Sequence, residues 1–197
     1  MKRILIKDLC KRYGPNIVIR NIRTELNSEY IYFLISENGS GKTTFFKCLL
    51  KETKYHGYII DNGMKYVFMP EKVRFPYVLT MLDYLKMFLE KEYNDNFEKV
   101  INEYLHYFGI YKYKYQYINR LSKGTKQKIL IIKTILSNAD VYLFDEPLSG
   151  LDKASRSLFM SLIKSLQEKD KIIVIASHYY DEYPFDNKKV INLKWIL

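Results

Sequence analysis

The sequence predicts an α/β fold with a mainly parallel sheet, a small N-terminal antiparallel β part and an inserted α-helical lobe. Three observations lead to this prediction. Short, wholly apolar runs at 141–144 and 172–176 are typical of parallel strands that are buried on both faces. Residues 154–167 between them have helical periodicity and supply the crossover that parallel strands require. A further apolar run, at 30–35, leads directly into a glycine-rich loop.

The first 35 residues predict the antiparallel β part. Apolar and polar residues alternate there in the manner of half-buried strands, at 3–6 and again at 17–19. Gly14-Pro15-Asn16 between these segments is a turn signal. Beyond the glycine-rich loop, residues 43–51 predict a helix, because their apolar side chains recur at helical spacing. The apolar face of that helix would comprise Phe45, Phe46, Leu49 and Leu50.

The middle of the chain, from about 72 to 120, changes character. Residues 80–90 and 97–108 show helical periodicity and few β-branched runs, which indicates a helical lobe set into the α/β core. A further helix is expected at 125–136. We therefore expect one domain over 1–197, with 1–71 and 125–197 as its core and about 72–124 as its lobe.

Length and composition exclude several classes of protein. A chain of 197 residues is long enough for one well-buried core and too short for two ordinary domains. Cys10 and Cys48 lack the spacing of a disulfide framework or a zinc site. No apolar run approaches the roughly 18–20 residues of a membrane span, and the N-terminus has no signal-peptide pattern. The sequence therefore predicts a soluble chain located in the cytoplasm.

The formal net charge of +10 predicts an anionic partner, which could be nucleic acid, nucleotide phosphates or a membrane surface. The excess is not spread evenly, because residues 104–139 contain seven Lys or Arg and no Asp or Glu. Within them, Tyr111-Lys112-Tyr113-Lys114-Tyr115 has the basic-aromatic interleaving of a nucleic-acid-binding strip. We interpret it instead as a solvated edge of the helical lobe.

The strongest local motif is Ser36-Glu37-Asn38-Gly39-Ser40-Gly41-Lys42-Thr43-Thr44, at the predicted strand-to-helix junction. Phosphate binding requires converging backbone N–H groups at the positive end of a helix. Gly39 and Gly41 permit a close approach of the backbone to the phosphates. Lys42 would reach the terminal phosphates, and the Thr43 hydroxyl would ligate Mg²⁺. The expected nucleotide-binding residues of this loop are Asn38, Gly39, Ser40, Gly41, Lys42, Thr43 and Thr44.

The match to the P-loop pattern G-x-x-x-x-G-K-[ST] is incomplete, because Ser36 occupies the first glycine position. If that position requires a positive φ, a residue other than glycine costs about 1 kcal/mol. We expect a weaker loop that still binds phosphates. This motif narrows the predicted α/β fold to one with a P-loop NTPase core.

Two carboxylates, Asp145 and Glu146, follow the apolar run at 141–144. Ligands bind at the carboxyl ends of parallel strands, so Asp145 suits a Mg²⁺ contact and Glu146 suits positioning or deprotonating an attacking water. The alternative is a charge pair at a helix N-terminus. His178 follows the run at 172–176, on what we expect to be the neighbouring strand. It would then reach the terminal phosphate or the attacking water, and a structural histidine is the alternative.

A second candidate anion site precedes the helix predicted at 125–136. Ser122 and Gly124 lie where an N-cap hydroxyl and the first backbone N–H groups of a helix would be expected. Taken alone, this segment predicts an N-cap equally well.

Together these segments resemble the ATP-binding subunit of an ABC transporter. Residues 121–127 are similar to a degenerate form of the family's LSGGQ signature, with Lys123 for its first glycine and Thr125 for its glutamine. The order of P-loop, signature, Asp-Glu pair, aspartate loop and histidine matches the family from Lys42 to His178, over most of the chain. The aspartate loop in that order is Ser149-Gly150-Leu151-Asp152.

The resemblance implies roles for further residues. Tyr13, in Lys11-Arg12-Tyr13-Gly14, resembles the aromatic residue that stacks on adenine, and the alternative is a packed surface ring. Glu71 stands where the family usually has the Q-loop glutamine near the metal, and the alternative is a solvated charge. The family's signature acts in trans on the ATP of a second ATPase subunit. The residues that would contact that ATP or its interface are Ser122, Lys123, Gly124 and Asp152.

The function that the resemblance implies is Mg²⁺-dependent ATP hydrolysis, with Glu146 and His178 as catalytic residues, driving transport by a separate integral-membrane permease. A single P-loop and a single signature imply a homo- or heterodimer, held peripherally at the inner face of the cell membrane through its permease. The signature form Leu-Ser-Lys-Gly resembles exporters of peptides, antibiotics or lipids. Nucleic acid is not expected as a partner, and the charge around Ser122 and Gly124 is expected to serve nucleotide phosphates or an anionic membrane face.

Two alternatives stay open at this point. Ser36 and the altered signature would also suit a nucleotide-binding module with little or no hydrolysis, and the same motifs occur in soluble ABC ATPases without a transport role. A nucleotide kinase would not need the Asp-Glu pair, the signature and His178 together. The ATPase head of a DNA-repair protein would need a long coiled coil between the P-loop and the signature, and the stretch from Lys42 to Ser122 is too short for one. The chain beyond His178 is short, so no regulatory domain is expected there.

Overall fold

The computed structural model describes residues 2–35, 39–89 and 96–193. They fall into two compact units. The second unit is larger than the predicted lobe at about 72–124, and the predicted single domain stays a prediction. The first unit comprises Met1–Pro70, Ala139–Glu146 and Ile163–Leu197, and the second comprises Glu71–Asn138 and Pro147–Leu162.

An antiparallel sheet forms the N-terminal part of the first unit, as predicted. β1 (Arg3–Tyr13) lies between β2 (Asn16–Asn27) and β4 (His56–Ile60) and pairs with both. The hairpin between β1 and β2 turns at Gly14, whose φ of 56° lies in the left-handed region. Both strands are longer than the segments predicted from alternation, because polar residues interrupt the apolar pattern while the backbone pairing continues.

The second sheet of this unit is parallel throughout the described residues and has the order β5–β6–β7–β3–β8. Its three central strands are wholly buried, which agrees with their apolar sequences. The edge strands are partly exposed, and the sequence did not predict them. The five strands are β3 (Ile31–Leu34), β5 (Tyr66–Met69), β6 (Val141–Asp145), β7 (Ile172–Ala176) and β8 (Lys188–Ile191).

The core of the first unit includes α1 (Lys42–Leu49) and side chains from both sheets. Phe45, Phe46 and Leu49 of α1 are buried among them, as the apolar face of this helix predicted. Since β6, β7 and β3 are parallel neighbours, their carboxyl ends meet at one edge of the sheet. The segments that follow these strands are therefore brought to the same edge.

The second unit is helical among its described residues. Its helices α2 (Met81–Leu89), α3 (Phe97–Tyr107) and α4 (Lys123–Ile135) contact one another. α4 begins two residues earlier than predicted, because Ser122 is its N-cap. α5 (Lys153–Glu168) lies between β6 and β7 in the chain, as the crossover pattern predicted. In the part of the chain that the structure describes, no helix has the length and apolar character needed to cross a membrane.

Candidate functional site

The glycine-rich loop joins β3 to α1 and is described from Gly39 onward. Ser36, Glu37 and the predicted ligand Asn38 lie outside the described residues. Gly39 and Gly41 have φ values of 80° and 100°, in the region that favours glycine. Ser40 lies between them, and α1 begins directly afterwards at Lys42. The predicted ligands Lys42, Thr43 and Thr44 therefore occupy the first turn of α1, where backbone N–H groups and the helix dipole favour an anion.

A β-bulge in β2 determines the surroundings of Gly41. In the pairing of β1 with β2, Lys11 lies opposite Ile19 and Arg12 opposite Ile17, so Val18 is the extra residue. A Cβ atom on Gly41 would lie 2.8 Å from Cγ1 of Val18 and 3.2 Å from its carbonyl oxygen. Glycine is therefore required at position 41 both for its backbone conformation and for space.

Thr43 and Asp145 form the pair of oxygen donors predicted to bind metal. Asp145 is the last residue of β6, and the Thr43 hydroxyl donates to its Oδ2 over 2.8 Å. Hydroxyl and carboxylate oxygens suit Mg²⁺, which usually takes few protein ligands and completes its shell with phosphate and water oxygens. Across the described residues, no group of three or more His, Cys, Asp or Glu could hold a metal ion. Glu71, the third predicted metal ligand, belongs to the second unit.

Glu146 and His178 lie beside this pair. The Glu146 N–H donates to the carbonyl of Ala176 over 2.9 Å, and its φ of 49° turns the chain at the end of β6. The backbone N–H of His178 donates to Oε2 of Glu146 over 3.4 Å. The His178 ring nitrogen Nε2 lies 3.4 Å from Oε1 of Glu146 and 3.3 Å from Nζ of Lys42. An unprotonated Nε2 accepts from Lys42, whereas a protonated one donates to Glu146, so the ring can change partners with its proton.

The environment of Glu146 makes its carboxylate a better base than an ordinary glutamate. Burial raises the pKa of Glu146, and the negative charge of Asp145 adds to this effect. The hydrogen bond from His178 and the electrostatic effects of His178 and Lys42 lower the pKa of Glu146 without cancelling the rise. A raised pKa moves a carboxylate toward the range in which it accepts a proton from water during catalysis.

Tyr13, the predicted adenine-stacking residue, is the last residue of β1 and is 47% exposed. It belongs to the same unit as the glycine-rich loop. The ammonium of Lys11 lies 4.3 Å from the centroid of its ring. Its stacking on adenine stays a prediction.

The signature segment forms the start of α4 in the second unit. The Ser122 hydroxyl accepts a hydrogen bond from the Thr125 N–H over 3.1 Å, which is the N-cap that the sequence allowed. A Cβ atom on Gly124 would lie 2.7 Å from the carbonyl oxygen of Gly150. The Lys123 ammonium donates to the Ser149 hydroxyl over 3.2 Å. The signature thus packs against the aspartate loop of the same unit, and its contact with a second subunit's ATP stays a prediction.

Asp152 caps α5. Its Oδ1 accepts hydrogen bonds from the N–H and the hydroxyl of Ser155, both over 2.8 Å. The ammonium of Lys128 lies 3.4 Å from its Oδ2. The hydrogen bonds from Ser155, supported by Lys128, lower the pKa of Asp152 to about 2. Its role at a nucleotide interface stays a prediction.

Glu71 is an exposed residue that lines a cavity of about 680 Å³ within the second unit. The cavity combines apolar side chains with four basic ones, and Glu71 is its single carboxylate among the lining residues. Its lining residues are Glu71, Lys72, Val73, Arg74, Phe75, Tyr77, Asn119, Lys123, Lys126, Gln127 and Leu130.

The sequence did not reveal the structural role of two polar residues, one next to His178 and one in α4. Ser177 is wholly buried and its hydroxyl accepts from the Tyr179 N–H over 3.0 Å, so it shapes the chain around His178. Gln127 is buried in α4 and its side chain donates to the carbonyl of Pro147 over 2.9 Å. The available signal for Gln127 was a polar residue at helical spacing on an otherwise apolar face.

Comparisons with known proteins agree with the fold and with the family that the sequence resembles. A family model described as ABC transporter matches residues 19–149. An uncharacterized ABC transporter ATP-binding protein of Methanocaldococcus jannaschii is 32% identical over 195 residues, which are 98% of this chain and 74% of that protein. The zinc import ATP-binding protein ZnuC of Rickettsia conorii is 32% identical over 178 residues, 89% of this chain and 76% of that protein.

A solved structure of the ATP binding subunit of an ABC transporter has the same fold. Its TM-score is 0.86 at 22% identity, over 98% of this chain and 88% of that one. The predicted α/β fold with a P-loop NTPase core is therefore confirmed. The chain belongs to the ABC transporter family, as an ATP-binding subunit.

Proposed function

We propose that this subunit hydrolyses the ATP that it binds and so drives transport through a separate integral-membrane permease. The observation that carries this proposal is the set of contacts at one edge of the parallel sheet, made by Lys42, Thr43, Asp145, Glu146 and His178. A fixed cation, a metal-binding oxygen pair and a buried base beside a histidine are the groups that phosphoryl transfer to water requires.

In this proposal the phosphates bind at the start of α1. Lys42 and the backbone N–H groups of the first helical turn neutralise and orient them. Thr43 and Asp145 would hold Mg²⁺, which when bound neutralises the charge that develops on the phosphate oxygens. Glu71 is proposed as a further metal contact, following the resemblance. The proposed nucleotide ligands from the loop are Asn38, Gly39, Ser40, Gly41 and Thr44, and Tyr13 is proposed to stack on adenine.

Glu146 is the proposed general base. The attacking water transfers a proton to its carboxylate as the water oxygen bonds to the terminal phosphorus and the bond to the leaving diphosphate breaks. Burial, which raises the pKa of Glu146, favours this proton transfer. Once protonated, Glu146 attracts His178 less strongly. The ring nitrogen Nε2 is then better placed to accept from Lys42, 3.3 Å away.

A second ATPase subunit is part of the proposal. The start of α4 presents backbone N–H groups at the positive end of a helix, capped by Ser122, and this is a suitable contact for another subunit's ATP. Lys123 and Gly124 belong to the same helical turn, and Asp152 lies in the loop packed against it. Two such subunits would enclose two ATP molecules at their interface.

We propose that the permease contacts the cavity at Glu71 in the second unit, which would hold the subunit at the inner face of the cell membrane. The sequence resemblance favours export of a peptide, antibiotic or lipid. The similar protein from Rickettsia conorii is named for zinc import, and this name favours import instead. Nucleotide-driven transport assayed in membrane vesicles of both orientations distinguishes the two directions.

The proposal is tested with Glu146→Gln, which keeps the shape of the side chain and removes the base. We expect the purified subunit with its permease to hydrolyse ATP, and the variant to lose turnover and accumulate as an ATP-bound dimer in size-exclusion chromatography. Glu168→Gln, on an exposed position of α5, is the control and should retain activity. Binding of ATP without turnover, with or without the permease, would favour the nucleotide-binding module.

A transport role requires a membrane partner. Affinity purification of the tagged subunit from native membranes should recover an integral-membrane protein in constant ratio. Turnover in the soluble fraction without any such partner would favour an ABC ATPase that has no transport role.

A further inference from the structure

Lys11 is a buried cation beside the proposed adenine-binding residue. It is only 7% exposed, although lysine side chains are seldom buried without a partner. Its ammonium donates a hydrogen bond of 2.8 Å to the carbonyl oxygen of Lys54. The same ammonium lies 4.3 Å from the centroid of the Tyr13 ring, within the range of a cation–π interaction. The burial of this charge is thus offset by one carbonyl dipole and one aromatic face.

These two contacts connect separate parts of the first unit. Lys11 and Tyr13 are two positions apart in β1, so their side chains project from the same side of the strand. Lys54 belongs to the segment that follows α1, the helix that begins at the glycine-rich loop. The ammonium therefore ties the Tyr13 ring to the chain immediately after the phosphate-binding helix. Tyr13 keeps 47% of its surface exposed, which leaves room for a flat ligand against the ring.

We propose that Lys11 is a positioning residue for the nucleotide base: it holds the Tyr13 ring in the orientation in which the exposed side of the ring stacks on adenine. This inference rests on the proposed function, in which Tyr13 contacts the base. Among the described residues, the Lys11 ammonium contacts the Tyr13 ring and the Lys54 carbonyl. We therefore expect its contribution to appear in the binding of the base and to be absent from the binding of the phosphates.

The test compares Lys11→Met, which keeps the length of the side chain and removes the charge, with wild type. Binding of ATP and of inorganic tripolyphosphate, which has no base, is measured by calorimetry in the presence of Mg²⁺. We expect Lys11→Met to weaken ATP binding about threefold to tenfold, the size of a partly buried cation–π contact, and to leave tripolyphosphate binding unchanged. KM for ATP should rise while kcat is retained.

Three further variants make the outcome specific. Lys11→Arg keeps a cation that can contact both the ring and the carbonyl, and should recover most of the ATP affinity. Arg12→Met removes a charge at the next, exposed position of the strand and should leave ATP affinity unchanged. Because Lys11 acts through Tyr13, adding Lys11→Met to Tyr13→Ala should cause no further loss of ATP affinity.

Several results would overturn the inference. Unchanged ATP affinity in Lys11→Met would show that the ring needs no support from this cation. An equal loss for tripolyphosphate would show that Lys11 acts on the phosphates through its charge. Additive losses in the double variant would exclude an effect through Tyr13. If wild type bound tripolyphosphate as tightly as ATP, the base would contribute nothing to affinity, and the inference would also be overturned. If wild type bound neither ligand, the proposed function would be overturned together with the inference.

Discussion

The Thr43 hydroxyl donates a hydrogen bond of 2.8 Å to the carboxylate of Asp145, which joins the first turn of α1 to the end of β6. The two residues are 102 positions apart in the chain. Asp145 is 4% exposed, so this contact supplies a hydrogen bond to a buried charge as well as bringing two oxygen atoms together. The same pair can therefore contribute to the stability of the free protein and to metal binding.

The first prediction distinguishes the effect of the Thr43 hydroxyl from the effect of the shape of the Thr43 side chain. Thr43→Val keeps the branched side chain and removes the donor, whereas Thr43→Ser keeps the donor. Because Thr43→Val removes one of the two oxygens proposed to hold Mg²⁺, we expect it to lower ATPase activity at fixed Mg²⁺ at least roughly tenfold. The Mg²⁺ concentration for half-maximal activity should rise in the same variant. Thr43→Ser should stay near wild type, and equal losses in both variants would contradict a role for the hydroxyl.

The second prediction concerns the contact of Gly41 with the bulge residue Val18. Gly41→Ala combines a positive φ of 100° with a Cβ only 2.8 Å from Cγ1 of Val18. Gly63→Ala is the matched control, because its φ is 73° and nothing lies within 4 Å of the added Cβ. In urea unfolding, backbone strain alone should lower the free energy of unfolding of Gly63→Ala by about 1–2 kcal/mol. Gly41→Ala should lose clearly more stability, and it should also lose ATP binding. Equal losses would show that Val18 moves aside without cost.

The sequence predicted those elements whose burial is visible in composition. β7 matches the predicted run at 172–176, because a strand covered on both faces contains only apolar residues. β5 and β8 were missed, since partly exposed edge strands have mixed compositions such as Lys188-Lys189-Val190-Ile191. Their pairing depends on neighbours that are distant in the chain, which local patterns do not reveal.

The candidate site also has features that could be predicted from the sequence and features that could not. Lys42, Asp145 and His178 could be predicted because each lies at a strand or helix end where parallel topology brings ligands together. The contact between Gly41 and Val18 could not, because it depends on the register at one bulge. The support of Tyr13 by Lys11 likewise depends on a backbone carbonyl whose position is set by tertiary packing.

The third prediction follows from the pKa of Glu146, which burial raises. A carboxyl whose pKa is higher in the folded than in the unfolded state favours folding while protonated, and this stabilisation is lost as pH rises through the folded pKa. Glu146→Gln mimics the protonated form at every pH. The variant should therefore melt at a higher temperature than wild type at pH 7–8, and the difference should shrink as pH falls toward about 4.

The control for this prediction is Glu168→Gln, the same substitution on the exposed surface of α5. Thermal unfolding monitored by circular dichroism between about pH 4 and pH 8 checks both variants. A difference that grows as pH falls would mean that the hydrogen bond and charges from His178 and Lys42 outweigh burial. ATPase activity of wild type should decline on the acid side, because protonated Glu146 cannot accept a proton from water.

The fourth prediction concerns Asp152, which can act as a helix cap and at a nucleotide interface. Asp152→Ala removes the acceptor for the Ser155 N–H and should lower the free energy of unfolding by about 1 kcal/mol. Asp152→Ser restores a capping oxygen without the charge and should recover most of that loss. Because the pKa of Asp152 is lowered to about 2, any advantage of wild type over Asp152→Ser should be present near neutral pH and disappear as pH falls toward 2.

The serine variant also separates the two roles of Asp152. If the carboxylate acts only as a cap, Asp152→Ser should keep both the stability and the ATPase activity of wild type. If it also acts at the interface between two ATPase subunits, activity and ATP-driven dimerisation should fall in Asp152→Ser while the melting temperature is retained. We expect the second result, because Oδ1 alone accepts both capping bonds and the cap therefore does not need Oδ2. Loss of activity only in parallel with loss of stability would contradict it.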